Sequence, residues 1–344
     1  MESLFITLQS RDCSYEIHFD SDCSIENYEK ILIVTNPKVF ALHGTNLISK
    51  LKAKHIFVVT IKDGERYKNL ASIEEILDNA FIYNLDRKSL IIGFGGGVIT
   101  DMAGFAAGIF KRGIDFINIP TTLLSQVDAS VGGKTGVNNH FGKNLIGLFY
   151  QPKAVFLNSD FLETLPKREF IAGISEIIKM AVCFDDGFFT WLESADLLNN
   201  KADLKEAIFK SVAIKAKIVM QDERENGIRA GLNYGHTFGH IIELLGNYTQ
   251  FLHGEAVSLG IIKANNLALK LGKIDKQDST RICNLLAKNS LPTQYDVTNK
   301  EAFYAKFYLD KKSSNDKLCF VIPNGIGKME IIENPPKELV LSIL

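Results

Sequence analysis

Three of the chain's seven histidines, His236, His240 and His253, fall within eighteen residues. The first two lie in Gly231-Leu-Asn-Tyr-Gly-His-Thr-Phe-Gly-His240, and the third opens His253-Gly-Glu255. Residues four apart on a helix share a face, so His236 and His240 project together, with Glu243 one turn further on. Imidazole is the commonest zinc-binding side chain and the commonest acid/base group near neutral pH, so this cluster points to a metal, a proton shuttle, or both. A pair of capping or core histidines gives the same spacing and stays open at this level. The zincin pattern is excluded, because it needs Glu directly after the first His and this chain has Thr237.

Glu176 and Lys179 lie three apart in Gly173-Ile-Ser-Glu-Ile-Ile-Lys-Met180, on a helical face otherwise lined by apolar residues. Burying either charge uncompensated is expensive. Two readings stand: the pair neutralise each other, or Glu176 is an oxygen ligand beside two histidines. Three protein ligands and an open position make the catalytic zinc pattern.

Gly93-Phe-Gly-Gly-Gly97 runs into Val98-Ile-Thr-Asp101. Adjacent glycines before a helix let backbone amides approach a phosphate, such as a dinucleotide's pyrophosphate, and the helix N-terminus favours negative charge. The match to G-x-G-x-x-G fails at Val98, and a simple tight turn is the other reading. Gly132-Gly-Lys-Thr135 resembles the end of a P-loop, but Asp128 occupies the position of the required first glycine, so a Walker motif is rejected. The span from Ile119 to Gly147 carries Pro120-Thr-Thr122, Asp128, Lys134, Asn138, Lys143 and Asn144 among glycines, a composition that predicts a loop-borne binding surface.

The elements that must position these groups follow from periodicity. Apolar runs Ile31–Val34, Ile56–Ile61, Leu90–Ile92 and Phe116–Ile119 alternate with helical patterns such as Ser72–Leu85, the signature of a parallel sheet covered by helices. Ligands bind such sheets at the carboxyl ends of the strands. After Pro152 the patterns become mostly helical: Glu169–Val182, Asp203–Met220, Tyr234–Leu245, Glu255–Leu271 and Ser279–Leu286. A strand pair, Leu318–Ile322 and Met329–Ile332, turns around Pro323-Asn-Gly325. The expected organisation is an α/β Rossmann-like nucleotide-binding domain over 1–158, followed by a mostly α-helical metal- and substrate-binding domain over 159–344.

With 344 residues and 46% hydrophobic content, the chain can bury a core large enough for about two domains. Lys and Arg total 39 against 40 acidic residues, so there is no basic field for nucleic acid or an anionic membrane. The five cysteines are scattered without C-x-x-C spacing, which predicts reduced thiols in the cytoplasm and no nucleophile among them. No basic leader segment and no stretch of eighteen apolar residues is present, so neither secretion nor membrane spanning is expected.

Together, Asp63-Gly-Glu-x-x-Lys68, Gly95-Gly-Gly-Val-Ile-x-Asp101, Pro120-Thr-Thr-Leu-Leu-x-Gln-Val-Asp-x-Ser-Val-Gly-Gly-Lys134, Gly142-Lys-Asn144, Glu176-Ile-Ile-Lys179, Leu232 to His240 and His253-Gly-Glu255 resemble the 3-dehydroquinate synthase family. The resemblance runs in order through nearly the whole chain. It implies Glu176, His236 and His253 as ligands of one zinc or cobalt ion, with His240 left as an acid/base or hydrogen-bonding group. It implies NAD contacts at Asp63, Gly64, Glu65, Arg66, Tyr67, Lys68, Gly97, Val98, Ile99, Thr100, Asp101, Thr121, Thr122, Phe161, Leu162, Glu163 and Thr164, with Lys134 and Lys143 also near the cofactor. Substrate groups are expected to meet Asp128, Lys134, Lys143, Asn144, Lys179, Lys215, Arg229, Asn233, His240 and Lys311 or Lys312. Arg112 matches an arginine that reaches the neighbouring subunit's site, which implies a homodimer. Asn36, followed by Pro37 and Lys38, stands where the family has an aspartate near the adenosine.

The implied activity is that of a phosphate-eliminating carbon–oxygen lyase of the shikimate pathway, in aromatic amino-acid biosynthesis. It closes 3-deoxy-D-arabino-heptulosonate 7-phosphate to 3-dehydroquinate by transient oxidation with NAD, phosphate elimination, re-reduction and aldol closure. A substrate bearing both carboxylate and phosphate accounts for Arg112, Lys134, Lys143, Lys179, Lys215 and Arg229 in a near-neutral protein. Three competitors differ in what they need. A metal-dependent alcohol or glycerol dehydrogenase would release NADH and has no use for the lysine set, related sugar-phosphate cyclases lack a substrate carboxylate, and an NAD-binding regulator would show no turnover.

Overall fold

The computed structural model describes residues 13–21, 23, 25–310 and 317–344. Its sheet is built from β1 (Glu16–Phe19), β2 (Lys30–Thr35), β3 (His55–Thr60), β4 (Leu90–Gly95), β5 (Asp115–Pro120) and β8 (Ala154–Leu157), in the order β1-β8-β5-β4-β2-β3. Every pairing is parallel, with Ile33 opposite both Val58 and Ile92. The runs Ile31–Val34 and Leu90–Ile92 are completely buried, as expected for strands covered on both faces. Helices α1 (Leu70–Ile82) and α2 (Gly97–Ile109) form two of the crossovers.

Between β5 and β8 the chain departs from the loop that its composition suggests. After a short helical turn at Ser125–Ala129 it forms an antiparallel hairpin of β6 (Lys134–Asn139) and β7 (Gly142–Phe149). Three of the glycines that read as loop formers, Gly136, Gly142 and Gly147, are cross-strand partners, while Gly132 and Gly133 form the left-handed turn that enters the hairpin. A Cβ at Gly147 would lie 2.1 Å from the Thr135 carbonyl, so the strands need glycine for close approach.

The remainder is helical: α3 (Lys167–Phe184), α4 (Asp186–Ser194), α5 (Lys201–Gln221), α6 (His236–Leu245), α7 (His253–Lys270), α8 (Lys276–Lys288), α9 (Lys300–Asp310) and α10 (Lys337–Ile343), with the pair β9 (Cys319–Pro323) and β10 (Met329–Glu333). One apolar cluster runs through it from Ile174 and Ile177 to Ala256, Val257 and Leu267. Among the described residues, no helix is long and apolar enough to cross a membrane.

Helix α7 begins at His253, two residues before the periodicity placed it, because Glu255 caps it. The Glu255 carboxylate accepts the Leu252 N–H at 2.8 Å and is gripped through both oxygens by Arg168. Immediately behind His253, a Cβ at Gly254 would lie 1.9 Å from the Ala172 carbonyl of α3. Gly254→Ala is therefore expected to destabilise the fold by about 1–3 kcal/mol, the range for overpacking. It should also weaken divalent-cation binding, since it moves the start of α7. A urea midpoint equal to that of the native chain would contradict this.

Candidate metal centre and ligand site

His236 opens α6 directly after Gly235, which adopts a left-handed φ of 80° that favours glycine. This turn ends the preceding 3-10 segment Ile228–Asn233 and aims the histidine inward. His236 and His240 then share a face as their spacing predicts, with ring centroids 5.4 Å apart, and His253 of α7 brings its ring to 5.2 Å from His236. From the middle of α3, Glu176 completes the group. Its Oε1 lies 3.7 Å from His236 Nε2 and 3.8 Å from His253 Nε2.

These separations are too long for hydrogen bonds. They approach the value of about 3.4 Å expected between donor atoms that each sit about 2.1 Å from one tetrahedral ion. Glu176 is 0% exposed and its Oε1 accepts no hydrogen bond among the described residues, while the Lys179 ammonium lies against Oε2. The two readings of Glu176 are thus compatible, because one oxygen neutralises Lys179 and the other faces the imidazoles. Both rings are anchored through Nδ1, His236 by the Tyr234 carbonyl at 3.2 Å and His253 by Glu243 Oε2 at 3.2 Å. A donor hydrogen on Nδ1 leaves the lone pair on Nε2, directed at Glu176. The trio therefore fits a divalent cation, and burial keeps the His236 imidazole neutral, well below its ordinary pKa.

Around this core, four lysines each meet a carboxylate. Lys215 bonds Asp128 Oδ1 at 2.5 Å, Lys143 bonds Glu243 Oε1 at 2.8 Å, Lys179 meets Glu176, and Lys134 meets Glu225. Burial acts to raise the Asp128 carboxyl, but Lys215 and Lys179 outweigh it and hold it far below the usual carboxylate range. Burial pushes the Lys215 ammonium down despite that partner. Glu243 is likewise desolvated, yet its bond to His253 and the charge of Lys143 bring it down to about 2. Arg229 is arranged differently. Its guanidinium is buried against the carbonyls of Gly132 and Glu223, and its Nε–H has no hydrogen-bond partner among the described residues. An arginine so desolvated and bonded only to carbonyls suits a carboxylate ligand.

The proposed cofactor segments all follow carboxyl ends of parallel strands, 63–68 after β3, 97–101 after β4, 121–122 after β5 and 161–164 after β8, so they share one edge of the sheet. Gly96 and Gly97 have negative φ, so the turn itself does not demand glycine. Close approach favours it, since a Cβ at Gly96 would sit a tight 3.1 Å from the Thr122 methyl. In the turn after β8, Phe161 packs on His43 and Phe94, and Thr164 bonds His43 at 2.7 Å, while Glu163 turns outward to Lys201. Lys68 is buried and donates to Asp101 Oδ2 and Asn144 Oδ1, both at 2.6 Å, stitching the 63–68 turn to the hairpin. Asn36 is occupied locally, accepting the Val39 N–H at 2.8 Å.

One sequence-predicted residue stands apart. Arg112 is exposed on the turn after α2, and none of the site's ion pairs described above includes it. Lys311 and Lys312 lie outside the described residues. One carboxylate, Glu225, escaped the sequence reading of the site. Glu225 takes Lys134 and the Asn233 amide at 2.6 Å from a left-handed φ of 61°, an uncommon conformation for a non-glycine residue. Glu243 was legible as a neighbour of His240 on the helix, but its partners were not. Cys183 is buried and its thiol is pushed up, which makes it inert.

Comparison with known proteins extends the geometry. The family models described as 3-dehydroquinate synthase N-terminal and C-terminal match residues 58–172 and 173–313. A 3-dehydroquinate synthase of Helicobacter hepaticus is 56% identical over 343 residues, 99% of this chain and 97% of that protein. Among solved structures, a 2-epi-5-epi-valiolone synthase from Streptomyces hygroscopicus with NAD+ and Zn2+ bound superposes with a TM-score of 0.88 at 24% identity, covering 98% of each chain. A 2-deoxy-scyllo-inosose synthase in complex with carbaglucose-6-phosphate, NAD+ and Co2+ gives 0.84 at 25% identity over 95% of each. The matched models and the near-full-length identity both span the cation trio and its lysine–carboxylate surround, and on them the chain belongs to the 3-dehydroquinate synthase family.

Proposed function

We propose that the chain converts 3-deoxy-D-arabino-heptulosonate 7-phosphate to 3-dehydroquinate and phosphate, as a phosphate-eliminating lyase of the cytoplasm. The observation that carries this reading is the Glu176, His236 and His253 trio with both imidazoles anchored through Nδ1. When bound there, a zinc or cobalt ion supplies Lewis acidity to a substrate hydroxyl, and NAD at the sheet edge supplies reversible hydride acceptance. The chain's own residues do the rest. Arg229 and Asn233 hold the substrate carboxylate, and Lys134, Lys143, Asn144 and Lys311 or Lys312 hold the phosphate. Lys179, Lys215 and Asp128 orient the hydroxyls, and His240 moves the proton at the reacting carbon. In this reading residues 1–158 form a cofactor half and 159–344 a metal half, with the reacting substrate held between them.

The exposed apolar hairpin residues Phe141, Leu145 and Phe149 support a homodimer in which Arg112 serves the partner copy's site. A dehydrogenase of similar architecture has no use for four lysine–carboxylate pairs around the cation. The experiment is a phosphate-release assay with the heptulosonate phosphate, NAD and Zn2+, monitored for NADH. Phosphate release without NADH accumulation is expected; NADH accumulation would favour a dehydrogenase, and silence of a metal-loaded chain a regulator. Lys143→Ala is expected to lower kcat/KM by the equivalent of about 2–5 kcal/mol, the range for removing one partner of a desolvated charge pair. An unchanged kcat/KM would contradict the role of Lys143.

A further inference from the structure

We infer that Glu243 is a positioning residue for the cation-binding imidazole of His253, and that through Lys143 it ties the grip on the cation to anion binding at the hairpin. This rests on the metal reading above. His253 presents Nε2 toward Glu176 and Nδ1 toward Glu243 Oε2, 3.2 Å away. The other oxygen of the same buried carboxylate takes the Lys143 ammonium at 2.8 Å, and that ammonium also lies 4.4 Å from the centre of the Tyr248 ring. One carboxylate is therefore shared between a ring N–H of α7 and a cation of β7.

A carboxylate on Nδ1–H fixes the tautomer, restricts ring rotation and makes Nε2 a stronger donor. His236 has only a neutral carbonyl in that place, so the two imidazoles differ in kind. Lys143 draws negative charge away from His253. An anion that recruits Lys143 leaves the carboxylate to the imidazole alone and so strengthens the cation site. By linkage, cation binding then favours the anion by the same factor. His240, Glu243 and His253 also bring three donor atoms within 4.8 Å of one another, but a cation among them would displace at least one of the two hydrogen bonds of Glu243.

The test uses the full chain and measures Zn2+ affinity by chelator competition and the visible spectrum of the Co2+ form, with and without sulfate as an anion probe. Glu243→Gln should bind one ion 10- to 100-fold more weakly, the range for loss of such a partner, with a shifted cobalt spectrum and native circular dichroism. Glu243→Asp should recover part of the affinity. Lys143→Met should bind Zn2+ more tightly than the native chain and lose the tightening that sulfate gives. The inference is overturned by a Glu243→Gln affinity and spectrum equal to native, or by loss of a second equivalent of metal alone, which would make the outer trio the cation site. Should Glu243→Gln fail to fold, native affinity and retained sulfate response in Lys143→Met overturn it equally. Full metal occupancy in His236→Ala would instead show that the underlying metal reading is wrong.

Discussion

Replacing His253 by alanine is expected to strip the chain of its tightly held divalent cation and abolish phosphate release, while far-UV circular dichroism stays near native. The ring supplies one of three donors and is the more exposed of the two imidazoles, so its removal opens the cation site without opening the core. Helix α7 does not depend on it. Its first turn is fastened by Glu255 to Leu252 and Arg168, and its body is buried through Ala256, Val257 and Leu259. Lewis-acid stabilisation is worth several kcal/mol, so turnover should fall on the order of a thousandfold or more. Elemental analysis after gel filtration reads the first effect, and full occupancy in the variant would remove His253 from the ligand set.

The second large effect concerns Lys179. Its ammonium is 1% exposed against the fully buried Glu176, and it also neutralises Asp128. Lys179→Met leaves Glu176 as an uncompensated buried charge, a change that costs about 3–5 kcal/mol. In chelator-treated protein that loss should appear in the urea unfolding curve. Saturating Zn2+ should restore much of it, because a cation among Glu176, His236 and His253 takes over the neutralisation. Equal losses with and without Zn2+ would separate Lys179 from the cation site, and no loss in chelator would mean that the Glu176–Lys179 pair stabilises nothing.

The sequence made local geometry readable wherever one residue's environment depends on near neighbours. Ile31–Val34 and Leu90–Ile92 declare buried parallel strands because both faces are apolar, and Glu176 and Lys179 declare a shared helical face. The four-residue edge strand Glu-Ile-His-Phe of β1 carries no such signal, since Glu16 is exposed and the other three residues are only partly buried. The hairpin was misread because glycine marks both loops and close strand approach, and only the Gly136–Gly147 pairing distinguishes them. Partners remote in sequence were beyond reach: Lys215 with Asp128, Lys143 with Glu243 and Lys134 with Glu225 are separated by 87, 100 and 91 residues. Glu225 had no periodic signal at all, and its left-handed backbone is set by the turn that also aims Arg229.

Crystals soaked with Zn2+ and NAD test the account most directly through the anomalous signal of the metal. The expected result is one peak per chain about 2.0–2.2 Å from Glu176 Oε1, His236 Nε2 and His253 Nε2, with the nicotinamide facing it from the carboxyl edge of the sheet. A peak held by other residues, or nicotinamide density away from the metal, would contradict it.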